Sequence, residues 1–341
     1  MNQDSRLSQD SLSWMQEIYQ HPLIHLGESG KAAFDGIFTP TYSKEEIDRF
    51  MSDYYASDEG ARRQREKFGL DMVPYYHANI LEAVTKASYD FNKPLIILEL
   101  GCGFGSATIP ILQLFPNARL IASELSVPML SMLKEVIAKQ DVQKNYVLMQ
   151  LNAEEMDFIP NSLDMVIGAA ILHHLFTPEK VIEQCYKVLK PGGIAIFFEP
   201  FESGFAILSL IYESILKENK FRLWKRLDSS QSDYLKDCIH IWRQMQNLDK
   251  TNPFFIGADD KWMFTRQYFG RLVDKYGFKK CAIYPINKTE KPFSNLVKIH
   301  SLGNNVTLPD WVWSIVDEYE DNFSIDLKED LLTEGTVILI K

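Results

Sequence analysis

The chain has 341 residues, 46% of them hydrophobic, enough for one large domain with insertions or for two domains. Its formal net charge of −10 weighs against DNA or RNA as the main partner, because nucleic-acid binders carry a basic footprint. The four cysteines, Cys102, Cys185, Cys238 and Cys281, are scattered without metal-ligand spacing, which argues against a disulfide framework and a zinc cluster and fits a reduced, cytoplasmic protein. Met1 to Asp10 is polar and lacks the apolar centre of a signal peptide, and no apolar run approaches the length of a membrane span.

Residues 1–93 read as a helical segment. Ser43-Lys44-Glu45-Glu46 has the pattern of a capping box, and Ile47, Phe50, Met51 and Tyr54 follow at helical spacing. A second helix is expected from Pro74 to Lys86, with Ile80, Leu81 and Val84 on one face. Tyr54, Tyr55, Phe68, Tyr75, Tyr76 and His77 crowd this region. They either pack the segment onto a core or line a lid over a ligand.

The most informative stretch is Leu95 to Gly105. Leu95-Ile96-Ile97-Leu98 reads as a buried parallel strand, and glycines then occupy the alternate positions Gly101, Gly103 and Gly105. Glycine there permits a tight turn and close approach of a ligand to the backbone. A dinucleotide fingerprint would place its third glycine at position 106, where this chain has Ser106. An acid, Glu99, precedes the first glycine by two residues. Leu98-Glu99-Leu100-Gly101-Cys102-Gly103-Phe104-Gly105 resembles motif I of the class I S-adenosylmethionine (SAM)-dependent methyltransferases. The resemblance extends from Pro94 to Pro200 and resumes more faintly after Phe264.

A helix should run from Ser106 to about Phe115 despite Pro110. Arg119 to Glu124 reads as the second strand of the unit. Glu124 lies 19 residues beyond Gly105, where a carboxylate can accept from both hydroxyls of a ribose. Ser126-Val127-Pro128-Met129 opens the next helix with proline in its first turn. Met129 is placed either to pack on the ligand or to sit in the core. Tyr146 to Leu151 is the third strand, followed by Asn152-Ala153-Glu154; the resemblance implies that this turn holds the adenine. Ser162 to Ala170 is the fourth strand, with small residues at its end. Ile171-Leu172-His173-His174-Leu175 then resembles the Leu-His-His of many small-molecule methyltransferases. Thr177-Pro178 should cap a helix that stops at Leu189-Lys190-Pro191-Gly192-Gly193, a family mark, before a fifth strand from Ile194 to Phe198.

Residues 201–260 interrupt the alternation and read as a helical cap. Phe205, Leu208, Ile211, Tyr212 and Ile215 form one stripe, and Leu235, Cys238, Ile239 and Trp242 another. The polar face of the first stripe lacks the basic cluster that would favour a membrane surface. Phe264 to Phe278 resembles the helix before the sixth strand, Cys281 to Pro285. Phe293 to Leu302 and Leu308 to Glu320 look like added helices, and Gly335 to Lys341 a terminal antiparallel strand.

The fold expected is α/β. It is a Rossmann-like, seven-stranded methyltransferase sheet, mostly parallel with the last strand antiparallel. An N-terminal helical lid (1–93), a cofactor core (94–200), a helical cap (201–260) and a completing segment (261–341) make up the chain. The resemblance implies SAM as cofactor, S-adenosylhomocysteine as product, and a small, aromatic or apolar methyl acceptor methylated on O, N or C, in the manner of secondary metabolism. Cofactor contacts are expected from Glu99, Gly101, Cys102, Gly103, Glu124, Leu125, Met129, Asn152, Ala153, Glu154 and Ala169. His174 and His173 are the candidate bases. Tyr55, Tyr76, His77, His173 and Glu199 are expected to face the acceptor. No metal, nucleic acid or membrane span is implied, and a homodimer is an open option. The rival readings are a nicotinamide-dependent oxidoreductase and a non-catalytic SAM-binding scaffold.

Overall fold

Runs of β-branched and apolar residues, punctuated by glycine and proline, form strands, and the amphipathic runs between them form helices. They are seen in a computed structural model that describes residues 13–29, 36–40, 70–90, 92–142, 145–247, 249–256, 258–286 and 289–341. In chain order these are β1 (Leu23–His25), β2 (Ile37–Pro40), α1 (Val73–Lys86), β3 (Ile96–Leu100), α2 (Thr108–Leu114), β4 (Arg119–Glu124), α3 (Val127–Ala138), β5 (Tyr146–Gln150) and β6 (Leu163–Ala169). They continue with α4 (Pro178–Val188), β7 (Leu189–Pro200), α5 (Glu202–Phe221), α6 (Ser229–Met245), α7 (Arg266–Tyr276), β8 (Lys280–Pro285), α8 (Pro292–Gly303), α9 (Asp310–Asp321), α10 (Ile325–Asp330) and β9 (Glu334–Ile340).

The strands form one sheet in the order β1-β2-β5-β4-β3-β6-β7-β9-β8. β2, β5, β4, β3, β6 and β7 are parallel neighbours, while β9 runs antiparallel between β7 and β8. The strand order reverses between β3 and β4 on one side and β6 on the other, the switch point where open α/β sheets bind ligands.

The sheet has nine strands in place of the seven expected. Both additions come from the N-terminal segment read as helical: β2 joins the edge of β5 and β1 pairs antiparallel with β2. Strands of three and four residues carry too little periodicity to stand out from helix. The capping box at Ser43 and the side chain of Tyr55 lie outside the described residues.

Alternation along the central strands feeds two cores. Leu98, Leu100, Val166, Ala195 and Phe197 face α4 and α7, while Ile97, Met165, Ile167, Ile194 and Ile196 face α1, α2 and α3. A third core lies beyond the sheet and joins α5 and α6 to α8 and α9. The helical layer is thus built from two insertions, one after β7 and one between β8 and β9. The stripe of Phe205, Leu208, Ile211, Tyr212 and Ile215 is spent on this core. Among the described residues no helix is long and apolar enough to cross a membrane.

Phe197 on β7 is wholly buried in the core under α4 and α7. Phe197→Ala is expected to cost about 3–5 kcal/mol in urea unfolding, from lost transfer energy and the cavity left behind. Leu210→Ala, on the exposed face of α5, should stay within about 0.5 kcal/mol.

Candidate active site

The glycine turn after β3 is built from backbone conformations that other residues resist. Gly101 and Gly103 have φ of +66° and +51°. A Cβ on Gly101 would stand 2.7 Å from Ile171 Cδ1, whereas one on Gly103 would meet no atom within 4 Å. The first glycine therefore packs against the histidine turn, and the second leaves open space for a ligand. Glu124, at the end of β4, braces the turn from the side. Its Oε2 accepts from Gly103 N–H at 3.1 Å, and its Oε1 accepts from Leu125 N–H at 2.9 Å and Ser126 N–H at 3.2 Å.

Glu99 points from β3 into the same place. It is 1% exposed, its Oε2 accepts from the Thr108 hydroxyl at 2.8 Å, and its Oε1 has no hydrogen-bond partner. Burial pushes its carboxyl up to about 8, against a smaller opposing pull from Thr108. A buried carboxyl with one unanswered oxygen is a receptor for a cationic donor.

On the other side of the switch point, β6 ends at Ala169 and the chain turns through Ala170, whose φ is +55°. The 3-10 turn Leu172–His174 follows. Glu199, 2% exposed at the end of β7, organises it. Its carboxylate accepts from the backbone N–H groups of Ile171 (3.2 Å), Leu172 (2.8 Å) and His173 (3.2 Å), and from His173 Nδ1 at 2.6 Å. The segment before α7 closes over the turn, since Lys261 and Trp262 both donate their N–H to the His173 carbonyl, at 2.7 and 3.2 Å. This brings Asp260 Oδ1 to 3.4 Å from His173 Nε2 and 3.3 Å from His174 Nδ1.

The two histidines are driven in opposite directions. Burial alone would lower His173, but Glu199 and Asp260 together raise it to about 10, so it is an imidazolium at neutral pH. Burial and the neighbouring His173 charge hold His174 below the ordinary histidine range. His174 Nδ1 lies 3.0 Å from the Asp259 carbonyl, which only accepts, so Nδ1 carries the hydrogen and Nε2 the lone pair. His173, His174 and Asp260 each place one polar atom within 4.8 Å of the others, but an imidazolium at His173 has no lone pair to offer a metal ion.

These groups line a cavity of about 530 Å³, in the size range of small-molecule sites. Glu99, Gly101, Cys102, Gly103, Ala169, His173, His174, Glu199 and Tyr76 all reach it. Its aromatic wall is Tyr76, Phe104, Phe198, Phe205, Trp242 and His300. Burial and the acids nearby push the Cys102 thiol well up, so it is no nucleophile.

Other expected residues fall outside this lining. Glu124 and Leu125 stand at the end of β4, Glu124 bonded to the glycine turn, while Asn152, Ala153 and Glu154 follow β5, two strands from β3, and Met129 is 5% exposed in the core of α3. Asn152 Oδ1 accepts from Glu154 N–H at 3.0 Å. The Glu154 carboxylate accepts from the Thr177 hydroxyl at 2.7 Å, so Thr177 precedes α4 without capping it through its side chain. His77 is half-buried on α1 and is absent from the cavity wall.

Of four further residues of the site, Trp242 lies on a stripe of the expected helical cap, whereas Asp260, His300 and Glu334 are unexpected there. Asp260, Trp242, His300 and Glu334 come from separate segments of the chain, and only the packing of the helical layer and of β9 brings them in. Glu334 accepts from the Tyr75 hydroxyl at 3.0 Å, which fixes α1 over the end of the sheet.

Glu99 makes stability depend on pH. Between pH 4.5 and 8 the folded state keeps a proton that the unfolded chain has lost, so stability falls as pH rises through that window. Urea unfolding from pH 5 to 8.5 should show a decline, of which on the order of 4 kcal/mol comes from Glu99 and is removed by Glu99→Gln, while the part above pH 6.5 that the raised His173 contributes stays. Parallel curves for the two proteins would remove Glu99 as its source.

Residues 97–193 match the family model described as a methyltransferase domain. A highly reducing polyketide synthase of Gibberella zeae is 36% identical over 121 residues, 33% of this chain and 5% of that one. A demethylmenaquinone methyltransferase of Lactobacillus johnsonii is 30% identical over 191 residues, 56% of this chain and 70% of that one. A solved phosphoethanolamine N-methyltransferase 2 of Haemonchus contortus, in complex with SAM, superposes with a TM-score of 0.49 at 16% identity, covering 86% of this chain and 59% of that one. The chain spans only 41% and 62% of the length of two further curated relatives. With motif I on the turn between β3 and α2 and a relative matched over most of its length, the chain belongs to the class I SAM-dependent methyltransferase family.

Proposed function

We propose that the chain transfers a methyl group from SAM to a small, flat or apolar acceptor held in the cavity between the glycine turn and the helical layer. The observation that carries this reading is the unanswered Oε1 of buried Glu99 beside the open face of Gly103. That pair fits the ammonium and backbone-hugging portion of an amino acid, so the residues present suit the cofactor. Glu99, Gly101, Cys102 and Gly103 would hold its methionine portion. Glu124 and Leu125 would hold the ribose, and Asn152, Ala153 and Glu154 the adenine. When bound, SAM supplies an electrophilic methyl on a positive sulfur.

What the chain itself contributes is alignment, a dry site and a base. Alignment of two bound reactants can supply several kcal/mol without any charge stabilisation. The aromatic wall excludes water and suits a flat acceptor. His174, held neutral with its lone pair on Nε2, takes the acceptor's proton. His173 is a positioning residue, because its Nδ1 proton is held by Glu199 and its Nε2 proton faces Asp260. This reading of the pair favours His174 over His173 as base. The acceptor named for one relative, demethylmenaquinone, is flat and apolar. A nicotinamide cofactor is disfavoured by Ser106 and by the family match, and a scaffold role by a cavity of about 530 Å³.

Calorimetric titration tests the cofactor. SAM and S-adenosylhomocysteine should bind, NADH should not, and Glu124→Ala should weaken both by loosening the Gly103 turn. Binding of NADH in place of SAM would overturn the reading. With an acceptor found by screening, His174→Ala should lower kcat by about 10²–10⁴. The limb of the kcat profile due to His174 should lie below pH 6.5, because its pKa is lowered. A limb above pH 7 would point to another base.

A further inference from the structure

We propose that the turn between α5 and α6 docks the protein on a lipid bilayer surface rich in anionic headgroups. The chain carries a net −10, yet residues 217–226 hold five basic side chains, Lys217, Lys220, Arg222, Lys225 and Arg226, against one acid, Glu218. In the same turn stand the three most exposed large hydrophobics among the described residues: Phe221 at 75%, Leu223 at 86% and Trp224 at 82%. An aromatic and aliphatic tip ringed by lysine and arginine is the composition of an interfacial anchor. The inference stands apart from the methyl-transfer reading.

The tip is held in shape. Lys225 adopts φ of +52°, and its carbonyl accepts from Trp311 Nε1 at 2.8 Å. Arg222 lies 4.3 Å over the Trp311 ring and pairs with Glu218 at 3.2 Å, so its charge is partly spent within the turn. Leu227 N–H donates to Asn219 Oδ1 at 2.8 Å, and the Asp228 carboxylate is engaged at the start of α6 by Gln231 N–H at 2.8 Å. These bonds fix the backbone while leaving Phe221, Leu223 and Trp224 in solvent. An ordinary loop would turn such side chains inward, and a third core lies directly beneath this one.

Charge chooses the occupant. A neutral apolar partner would need no basic ring. The remaining lysines and arginines point to a negative surface, each adding roughly five-fold to affinity. A convex turn tip with three apolar side chains suits insertion into a headgroup layer. From this tip α5 and α6 run back to the cavity, which Phe205, Ile241, Trp242 and Met245 line. The span from Phe221 to Phe205 is about 24 Å at the rise of an α-helix.

The test is co-sedimentation of the full chain with vesicles of phosphatidylcholine alone and with about 30% phosphatidylglycerol added. The anionic vesicles should bind at least about ten-fold more protein, and about 1 M salt should remove most of the difference by screening. Two variants, Leu223→Asp with Trp224→Asp, and Lys220→Glu with Lys225→Glu and Arg226→Glu, should each abolish binding while melting at the wild-type temperature. Emission lost on Trp224→Phe should be blue-shifted in the wild type when anionic vesicles are present. Equal binding to neutral vesicles, or retention by either variant, would overturn the proposal. So would vesicle indifference combined with a wild-type dimer that Leu223→Asp with Trp224→Asp dissociates, since the tip would then be a face between copies.

Discussion

The carboxylate of Glu199 is the constraint on which the site rests. It leaves the end of β7 in a place closed to water and must be answered by donors. Three consecutive backbone N–H groups and one imidazole answer it, and all four come from the turn that follows β6. Pairing of β6 with β7 sets the distance; the carboxylate sets the shape of the turn. Ile171 then packs where a side chain on Gly101 would otherwise stand, which couples the histidine turn to the glycine turn across the switch point. From Gly103 the chain of contacts runs on to Glu124 and the start of α3. One buried acid therefore fixes the geometry of the floor on both sides of the cavity.

Burial and neighbouring charge then separate groups of like chemistry. Glu99 and Glu199 are both buried acids at the ends of parallel strands. One is surrounded by donors, whereas the other has a single hydroxyl and keeps an oxygen unanswered. His173 and His174 are adjacent in sequence, with ring centroids 4.0 Å apart. The charge on the first helps keep the second neutral. Pairs of titratable groups pushed apart in this way mark an acid–base division of labour. On the proposed reading, Glu99 would receive a cation on one wall and His174 would act as base on the other.

The β3 turn, the acid ending β4, the paired histidines and the parallel core were legible in the sequence, because each is a local pattern on a strand end. β1 and β2 were not, because three or four residues cannot display a period. The protonation of the histidines was not legible either. It depends on Glu199, 26 residues from His173, and on Asp260 from a segment docked by backbone hydrogen bonds to the His173 carbonyl and by Trp262 Nε1 on the Leu175 carbonyl. In the aromatic wall Tyr76 and Trp242 belong to the expected lid and cap, whereas His300 comes from the second insertion, whose helices share one core with the first. The sequence also promised an apolar stripe on α5 without a basic partner. The stripe is core, and the basic residues lie one turn beyond it with their own apolar side chains.

The central claim is that buried Glu99 receives the ammonium group of the cofactor. Its carboxyl, raised to about 8, is protonated at pH 6.5 and should ionise when a cation is placed against its vacant oxygen. Calorimetric binding of S-adenosylhomocysteine at pH 6.5, repeated in buffers of different ionisation enthalpy, counts the protons released. The account predicts release of close to one proton by the wild type and none by Glu99→Gln. A count of zero in the wild type, or the same count in both proteins, would contradict it.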